Sequence, residues 1–336
     1  MRILGLSCGH RAAAACLVED GKLLSARSEV GGGETSLVGF PKRALQSCFA
    51  NAGGARAQID AVAVYTGVRR APSRVAKPWM GSIHGKERSL PREIVSRRLA
   101  EPRLRHELGA LGVGEVRAFH YPEHHRARAA RAFFPSRFAE AGILVLDALE
   151  ENSVTIGAGR GSTLELNEQL IFPYGLGAVT SALTDFVGLA ANAPELSRLA
   201  LEGHGTYTDR LLDGGIDLRE DGSLGLDPEA AYPRFVELLD GPPRGAGTPL
   251  TQRDKNIVRS LREMVEEVAL CMAWHVRRRY DVSRLCLCGR GPLTEWAQGA
   301  LRSSGMFDEV WVPPEPGEAG GAWGAALAVC HSPGNT

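Results

Sequence analysis

The strongest constraint on how this chain folds is a repeated unit. Arg2–Leu6 is a short apolar run that opens into the small-residue loop Ser7-Cys8-Gly9-His10. A second run, Ala13–Val18, turns at Asp20-Gly21 into Lys22–Ala26, which predicts three strands joined by tight turns. About 140 residues later Ile143–Leu146 leads into a loop from Asp147 to Asn152. Val154–Ala158, a turn at Arg160-Gly161 and Leu164–Ile171 follow. Two such units, each succeeded by helical text, predict a duplicated α/β architecture with two facing loops. The expected lobes are residues 1–140 and 141–336.

Between the units, Pro41–Ala52 reads as a helix, Ile59–Tyr65 and Val116–His120 as strands, and Glu123–Phe134 as a helix. In the second half, Lys255–Tyr280 carries apolar residues at 257, 261, 264, 265, 268, 272 and 276, a wide helical stripe. Its Arg277-Arg278-Arg279 end suits the negative pole of the helix dipole. Strand Leu285–Cys288, a helix near Thr294–Ser303, strand Glu309–Val312 and a small-residue helix Gly320–Val329 complete the pattern. Paired loops of this kind grip the phosphates of a nucleotide between the lobes of actin-like and sugar-kinase-like ATPases. Short loops of small residues let backbone N–H groups approach an anion. A plain antiparallel meander would give the same spacing.

Composition removes several function classes. Lys and Arg number 39, as do Asp and Glu, so no global charge favours nucleic acid or an anionic membrane. No run approaches the ~18 apolar residues of a membrane helix. MRILGLSCGH breaks into Gly, Cys and His too early for a signal peptide. The seven cysteines read as reduced thiols of a cytoplasmic protein, with Cys286 and Cys288 as alternate residues of one buried strand. The one charge anomaly is local: Arg69–Glu107 holds eleven Lys/Arg against four Glu. It reads either as a solvated face or as a surface for an anionic ligand or acidic partner.

Several residues are candidates for chemistry. His124-His125 opens a helix just after a strand, where a metal or phosphate is often held. A metal pair needs a second ligand one turn later, and that position is Arg128, so a surface or capping histidine pair fits better. Cys8 and His10 resemble a nucleophile and base, although a buried strand cysteine is the simpler reading. Asp147, with Glu150 and Glu151 behind it, is placed to hold magnesium or orient a hydroxyl, or else to cap its strand end as an Asx turn. Gly289-Arg290-Gly291 permits close approach of a phosphate, with Arg290 to meet it. Gly317-Glu318-Ala319-Gly320-Gly321 is a similar loop-to-helix junction, suited to an adenosine or to tight helix packing.

Taken together these blocks resemble the O-carbamoyltransferases of antibiotic tailoring and nodulation-factor modification, specifically their transferase domain. The resemblance runs from MRILGLSCGHRAAAACLVEDGKLL through the Glu123-His124-His125 helix, Ile143–Asp147 and IFPYGLGAVTSALTDFVGL to LCLCGRGPLTE and VWVPPEPGEAGGAWGAAL. It implies a two-lobed actin-like ATPase fold. It also implies a cleft for ATP or carbamoyl-adenylate lined by Gly9, Gly289, Arg290, Gly291, Glu318, Gly320 and Gly321. His10, Arg11, His124 and Asp147 stand at the positions of the reaction centre.

The departures fall on that centre. The family's Gly-His-Asp is Gly9-His10-Arg11, its His-x-x-x-His metal pair is His124 and Arg128, and its late Asp is Glu318. Its Asp-Gly is Asp147-Ala148, its Gly-Gly-x-x-x-Asn runs Gly289 to Thr294, and its Gly-Glu-Tyr-Lys is Pro194-Glu195-Leu196-Ser197. These changes imply a lost metal site. Family members usually continue into a domain that makes carbamoyl-adenylate, so the resemblance implies a homologous partner chain or a homodimer, and a small-molecule acceptor. It leaves three expectations: carbamoyl transfer in a natural-product pathway, an inactive paralogue that stabilises an active relative, or a nucleotide sensor.

Overall fold

The computed structural model describes residues 1–8, 12–30, 39–53, 59–65, 93–147, 152–171, 176–191, 193–215, 217–219, 224–225, 228–289, 291–314 and 317–332. The first half runs β1 (Arg2–Cys8), β2 (Ala12–Glu19), β3 (Lys22–Val30), α1 (Lys42–Asn51), β4 (Ala61–Tyr65), α2 (Glu93–Ala110), β5 (Ala118–His120) and α3 (His124–Phe133). The second half opens with β6 (Glu140–Leu146), β7 (Asn152–Arg160), β8 (Thr163–Ile171), α4 (Leu176–Phe186), α5 (Leu196–Glu202) and α6 (Thr208–Arg210). A short hairpin, β9 (Asp217–Leu218) with β10 (Leu224–Gly225), then leads to α7 (Pro228–Leu238) and α8 (Gln252–Tyr280). β11 (Arg284–Gly289), α9 (Pro292–Ser303), β12 (Glu309–Trp311) and α10 (Glu318–Cys330) follow.

The duplication is visible in the sheets. One is ordered β3-β2-β1-β4-β5 and the other β8-β7-β6-β11-β12, so each strand of the first half has a counterpart in the second. In each, a three-strand antiparallel meander continues into two parallel strands. This is the two-lobed actin-like α/β arrangement expected from the repeat. The first hairpin closes through Asp20 and Gly21, whose φ values of 49° and 78° match the twist of the strands they join.

Alternation along the central strands decides which side chains meet which helices. In β1, Leu4 and Leu6 face a core with α1 and α2, while Ile3 faces the opposite side with β4's Ala63 and Tyr65. In β6, Leu144 and Leu146 join the core with α8, whereas Ile143 and Val145 face α3. Cys286 and Cys288 of β11 share that second face, as alternate residues of a buried strand should.

The helices on the inner faces are exchanged between the halves. α3, encoded before β6, packs on β6, β8 and β11, and α10, the last helix, packs on β1, β2 and β4. The two helices also pack against each other, so close that a Cβ on Gly324 would lie 2.1 Å from the carbonyl oxygen of Ala127. α8, with a Thr251–Asp254 capping box, presents the expected stripe from Ile257 to Val276 to its sheet.

Two features differ from the sequence reading. Residues 93–110 form a helix rather than only a charged face, because Leu104 and Leu108, one turn apart, are buried against the outer side of β1 and β4. The remainder of the basic stretch, residues 66–92, lies outside the described residues. α4, inside the block IFPYGLGAVTSALTDFVGL, is a further helix, with Val179, Leu183 and Phe186 in the second core. Among the described residues no helix is long and apolar enough to cross a membrane.

Candidate functional site

A group of buried polar residues, among them Ser7, His124, Arg128 and Asp147, collects where the two central strands end. Continuing the alternation of Ile143 and Val145, Asp147 points to α3 and is 1% exposed. α3 begins at His124 because the Glu123 carboxylate caps it, accepting from the backbone N–H groups of His125 and Arg126. His124 and Arg128 therefore stand one above the other, on the helix face turned to Asp147.

The geometry of this cluster is tight. Arg128 Nε donates to His124 Nε2 at 2.6 Å, and its guanidinium reaches Asp147 Oδ2 at 2.8 Å. His124 Nε2 is 3.7 Å from the same carboxylate oxygen and 3.3 Å from the Tyr65 hydroxyl. The Tyr65 and His124 rings lie 5.0 Å apart, centre to centre. His125 is fully buried and pairs through Nδ1 with the Thr155 hydroxyl. The thiol of Cys288 points at the Arg128 carbonyl, 3.4 Å away. The two histidines are thus interior groups rather than a surface or capping pair, because Glu123 does the capping and both rings are buried, His124 beside Tyr65 and His125 beside Thr155. Asp147 is an ion-pair partner across the helix–sheet gap.

The first half repeats the design. Ser7, at the corresponding end of β1, is buried, and its hydroxyl donates to the carboxylate of Glu318 in the first turn of α10. Near the end of each central strand, a polar side chain therefore meets the N-terminal part of the helix on its inner face. Gly321 is packed on Tyr65: a Cβ there would fall 2.3 Å from the ring. Gly289 is held by β6, since its Cβ would meet the Leu146 carbonyl oxygen at 1.9 Å, and Gly291 precedes α9 at φ 75°. Gly320 is buried within α10. Gly9, His10, Arg11 and Arg290 lie outside the described residues, as do Glu150 and Glu151.

Cys8 ends β1 beside this region. Burial, reinforced by the Glu318 carboxylate, pushes its thiol up to about 12. A thiolate fraction on the order of one in ten thousand at pH 8 makes it a poor nucleophile. Iodoacetamide at pH 8 is expected to alkylate Cys8 roughly a thousandfold more slowly in the native protein than in denaturant. Equal rates by peptide mass mapping would show a reactive thiolate instead.

A metal ion does not fit these side chains as they stand. The Nε2 lone pair of His124 already accepts from Arg128, and the Asp147 oxygen nearest to it is salt-bridged to the same guanidinium. Among the described residues no group of three or more His, Cys, Asp or Glu is placed to share an ion. The pairing of Arg128 with Asp147 was not read from the sequence, although the alternation of β6 could have pointed to it. The Ser7–Glu318 bond joins residues 311 apart and had no local signal.

A protein-family model described as the carbamoyltransferase N-terminus matches residues 2–327. The uncharacterized protein sll1178 of Synechocystis sp. is 30% identical, over 98% of this chain and 57% of its own length. Nodulation protein NolNO of Sinorhizobium fredii is 24% identical, over 96% of this chain and 47% of its own. The chain spans about half the length of these curated relatives. Among solved structures it is similar to the activator of the 2-hydroxyisocaproyl-CoA dehydratase from Clostridium difficile with bound ADPNP. That likeness has a TM-score of 0.47 at 14% identity, over 97% of this chain and 93% of that one. The ROK hexokinase of Thermus thermophilus gives 0.46 at 17% identity, over 98% of both chains.

Proposed function

The chain belongs to the carbamoyltransferase N-terminal family, and from that premise we propose that it is the acceptor-side half of a carbamoyl transfer reaction in the cytoplasm. A hydroxyl or amine of a small natural-product acceptor attacks the carbonyl carbon of an activated carbamoyl group such as carbamoyl-adenylate. The new C–O or C–N bond forms, the bond to the phosphate oxygen breaks, AMP leaves with the bonding pair, and the acceptor's proton passes to water. The observation that carries this reading is the family match across both lobes, with a buried Tyr65–His124–Arg128–Asp147 cluster where the strands of the two halves converge.

What the chain's own residues contribute follows from their bonding. With Nε2 engaged, His124 cannot take the acceptor's proton through that nitrogen, and its part is to orient Arg128. Negative charge grows on the carbonyl oxygen and the departing phosphate, so fixed cations are the useful groups. Arg128 supplies one, and Arg11 and Arg290 are proposed as the others. The adenylate itself would come from a homologous chain or an adjoining domain, with a homodimer as the alternative assembly.

One observation favours a second reading. Arg128 is engaged by both His124 and Asp147, which suits an inactive paralogue that binds an adenylate and stabilises an active relative. The two readings separate in one experiment. The protein is supplied with ATP, [14C]carbamoyl phosphate and hydroxyl- or amine-bearing sugars, with and without a co-expressed full-length homologue. ATP and AMP binding is followed in parallel by equilibrium dialysis. Transfer is expected only with the homologue present, and at least tenfold lower in Arg128→Gln. Binding without any transfer supports the inactive paralogue, and no adenylate binding would sink both.

A further inference from the structure

We infer that an acidic groove along α8 is an interface, and that its occupant is the basic first half of a second copy of this chain. The groove, about 600 Å3 in volume, lies between α8, the end of α9 and the turn after α6. Half-buried Leu212 and Leu270 make its floor. Asp209, Glu263, Glu266 and Glu267 stand around them, with no Lys or Arg among the lining residues. Arg259 and Arg262, one turn back on α8, hold Glu263 and Glu266. Asp209 and Glu267 are exposed and carry no ion pair among the described residues. One turn beyond Leu270, Trp274 is 49% exposed and extends the apolar strip along the same helix face. α8 covers one face of the second sheet and α3 the other, so the groove is separate from Arg128 and independent of the proposed reaction.

The kind of occupant follows from the chain's own charge. Residues 1–140 hold 23 Lys and Arg against 12 Asp and Glu, whereas residues 141–336 hold 16 against 27. The neutral protein is therefore a dipole, with an excess of eleven charges on each half, positive on the first and negative on the second. Most of the positive excess falls in Arg69–Glu107, which runs into α2 on the outer core of the first sheet. Two copies laid antiparallel bring each acidic groove against the other's basic stretch, and one two-fold axis relates both contacts and closes the pair. At physiological salt charges act over only about 8 Å, so the groups in contact must match, not merely the two dipoles. Exposed ion pairs each contribute little. They select the partner and its register, while covering Leu212, Leu270 and Trp274 supplies the adhesion.

Sedimentation velocity of the full chain tests this directly. At about 50 mM NaCl wild type is expected to run as a dimer, whose dissociation constant rises roughly tenfold or more by about 500 mM. Asp209→Lys with Glu267→Lys, both at exposed positions, should give a monomer that circular dichroism shows to be folded. Arg69→Glu with Arg70→Glu and Arg74→Glu should do the same. Mixing the two variants is the decisive measurement. The mixed pair has one native contact and one with both signs reversed, so the dimer should return. Wild type that stays monomeric at low salt would overturn the inference without any variant having to fold. So would a dimer that either variant leaves intact, variants that do not recombine, or species that grow beyond two chains with concentration.

Discussion

Gly324→Val is expected to destabilise the protein by about 3 kcal/mol or more, the upper end of what overpacking a core costs. The reason is that the obstacle is backbone. A Cβ at position 324 would sit 2.1 Å from the Ala127 carbonyl oxygen and 2.9 Å from its carbon, and neither can swing aside like a side-chain tip. α3 and α10 would have to separate, and both are also pinned to sheets. Gly5 holds the other side of α10 under the same restriction, its Cβ position lying 2.2 Å from the Ala322 carbonyl oxygen. Against a total stability of roughly 5–15 kcal/mol, such a loss is large. Urea denaturation should show the midpoint collapse, whereas Gly299→Ala, in α9 with open space at its Cβ, should match or exceed wild type. Equal midpoints for Gly324→Val and wild type would mean that the helices are not in contact.

The second large effect concerns charge. Asp147→Ala removes the carboxylate from a guanidinium that is 6% exposed, and breaking a buried pair in this way costs roughly 3–5 kcal/mol. Replacing both partners with apolar groups of similar size avoids that penalty. Arg128→Met combined with Asp147→Leu is therefore expected to be closer to wild type than Asp147→Ala alone. A double-mutant cycle by chemical denaturation measures the coupling. If Asp147→Ala cost less than about 1 kcal/mol, Arg128 would be reaching water, and its pair with Asp147 would not behave as a buried one.

Much of the fold was legible because its signals are local. The apolar runs Arg2–Leu6 and Ile143–Leu146, the turn residues Asp20-Gly21, and the stripe of α8 each act over a few residues and need no knowledge of the rest. α2 was missed for a physical reason: its apolar residues are few, Pro102 lies inside it, and its surroundings are dense in charge. It is helical because Leu104 and Leu108 have a sheet to cover. The site was legible only as a set of residue types. Arg128 could be seen to exclude a metal, but the exclusion is achieved by bonding to His124 and Asp147 at once, which depends on how α3 lies on β6. The burial of both histidines had no signal in a segment whose helix also carries Arg126, Arg128 and Arg131.

The exchange of α3 and α10 sets an order of events during synthesis. When the ribosome has delivered all of β1 to β5, the inner face of that sheet, with Ile3, Ala14, Cys16, Val18 and Ala63, has no helix of its own half among the described residues to lie against. The helix that follows, α3, is destined for a sheet not yet made. Only after residues 318–330 emerge can the first lobe close, across nearly the full length of the chain. Contacts of such long sequence separation form late and slowly. Through most of translation the nascent chain therefore carries an open apolar sheet, a natural target for chaperones.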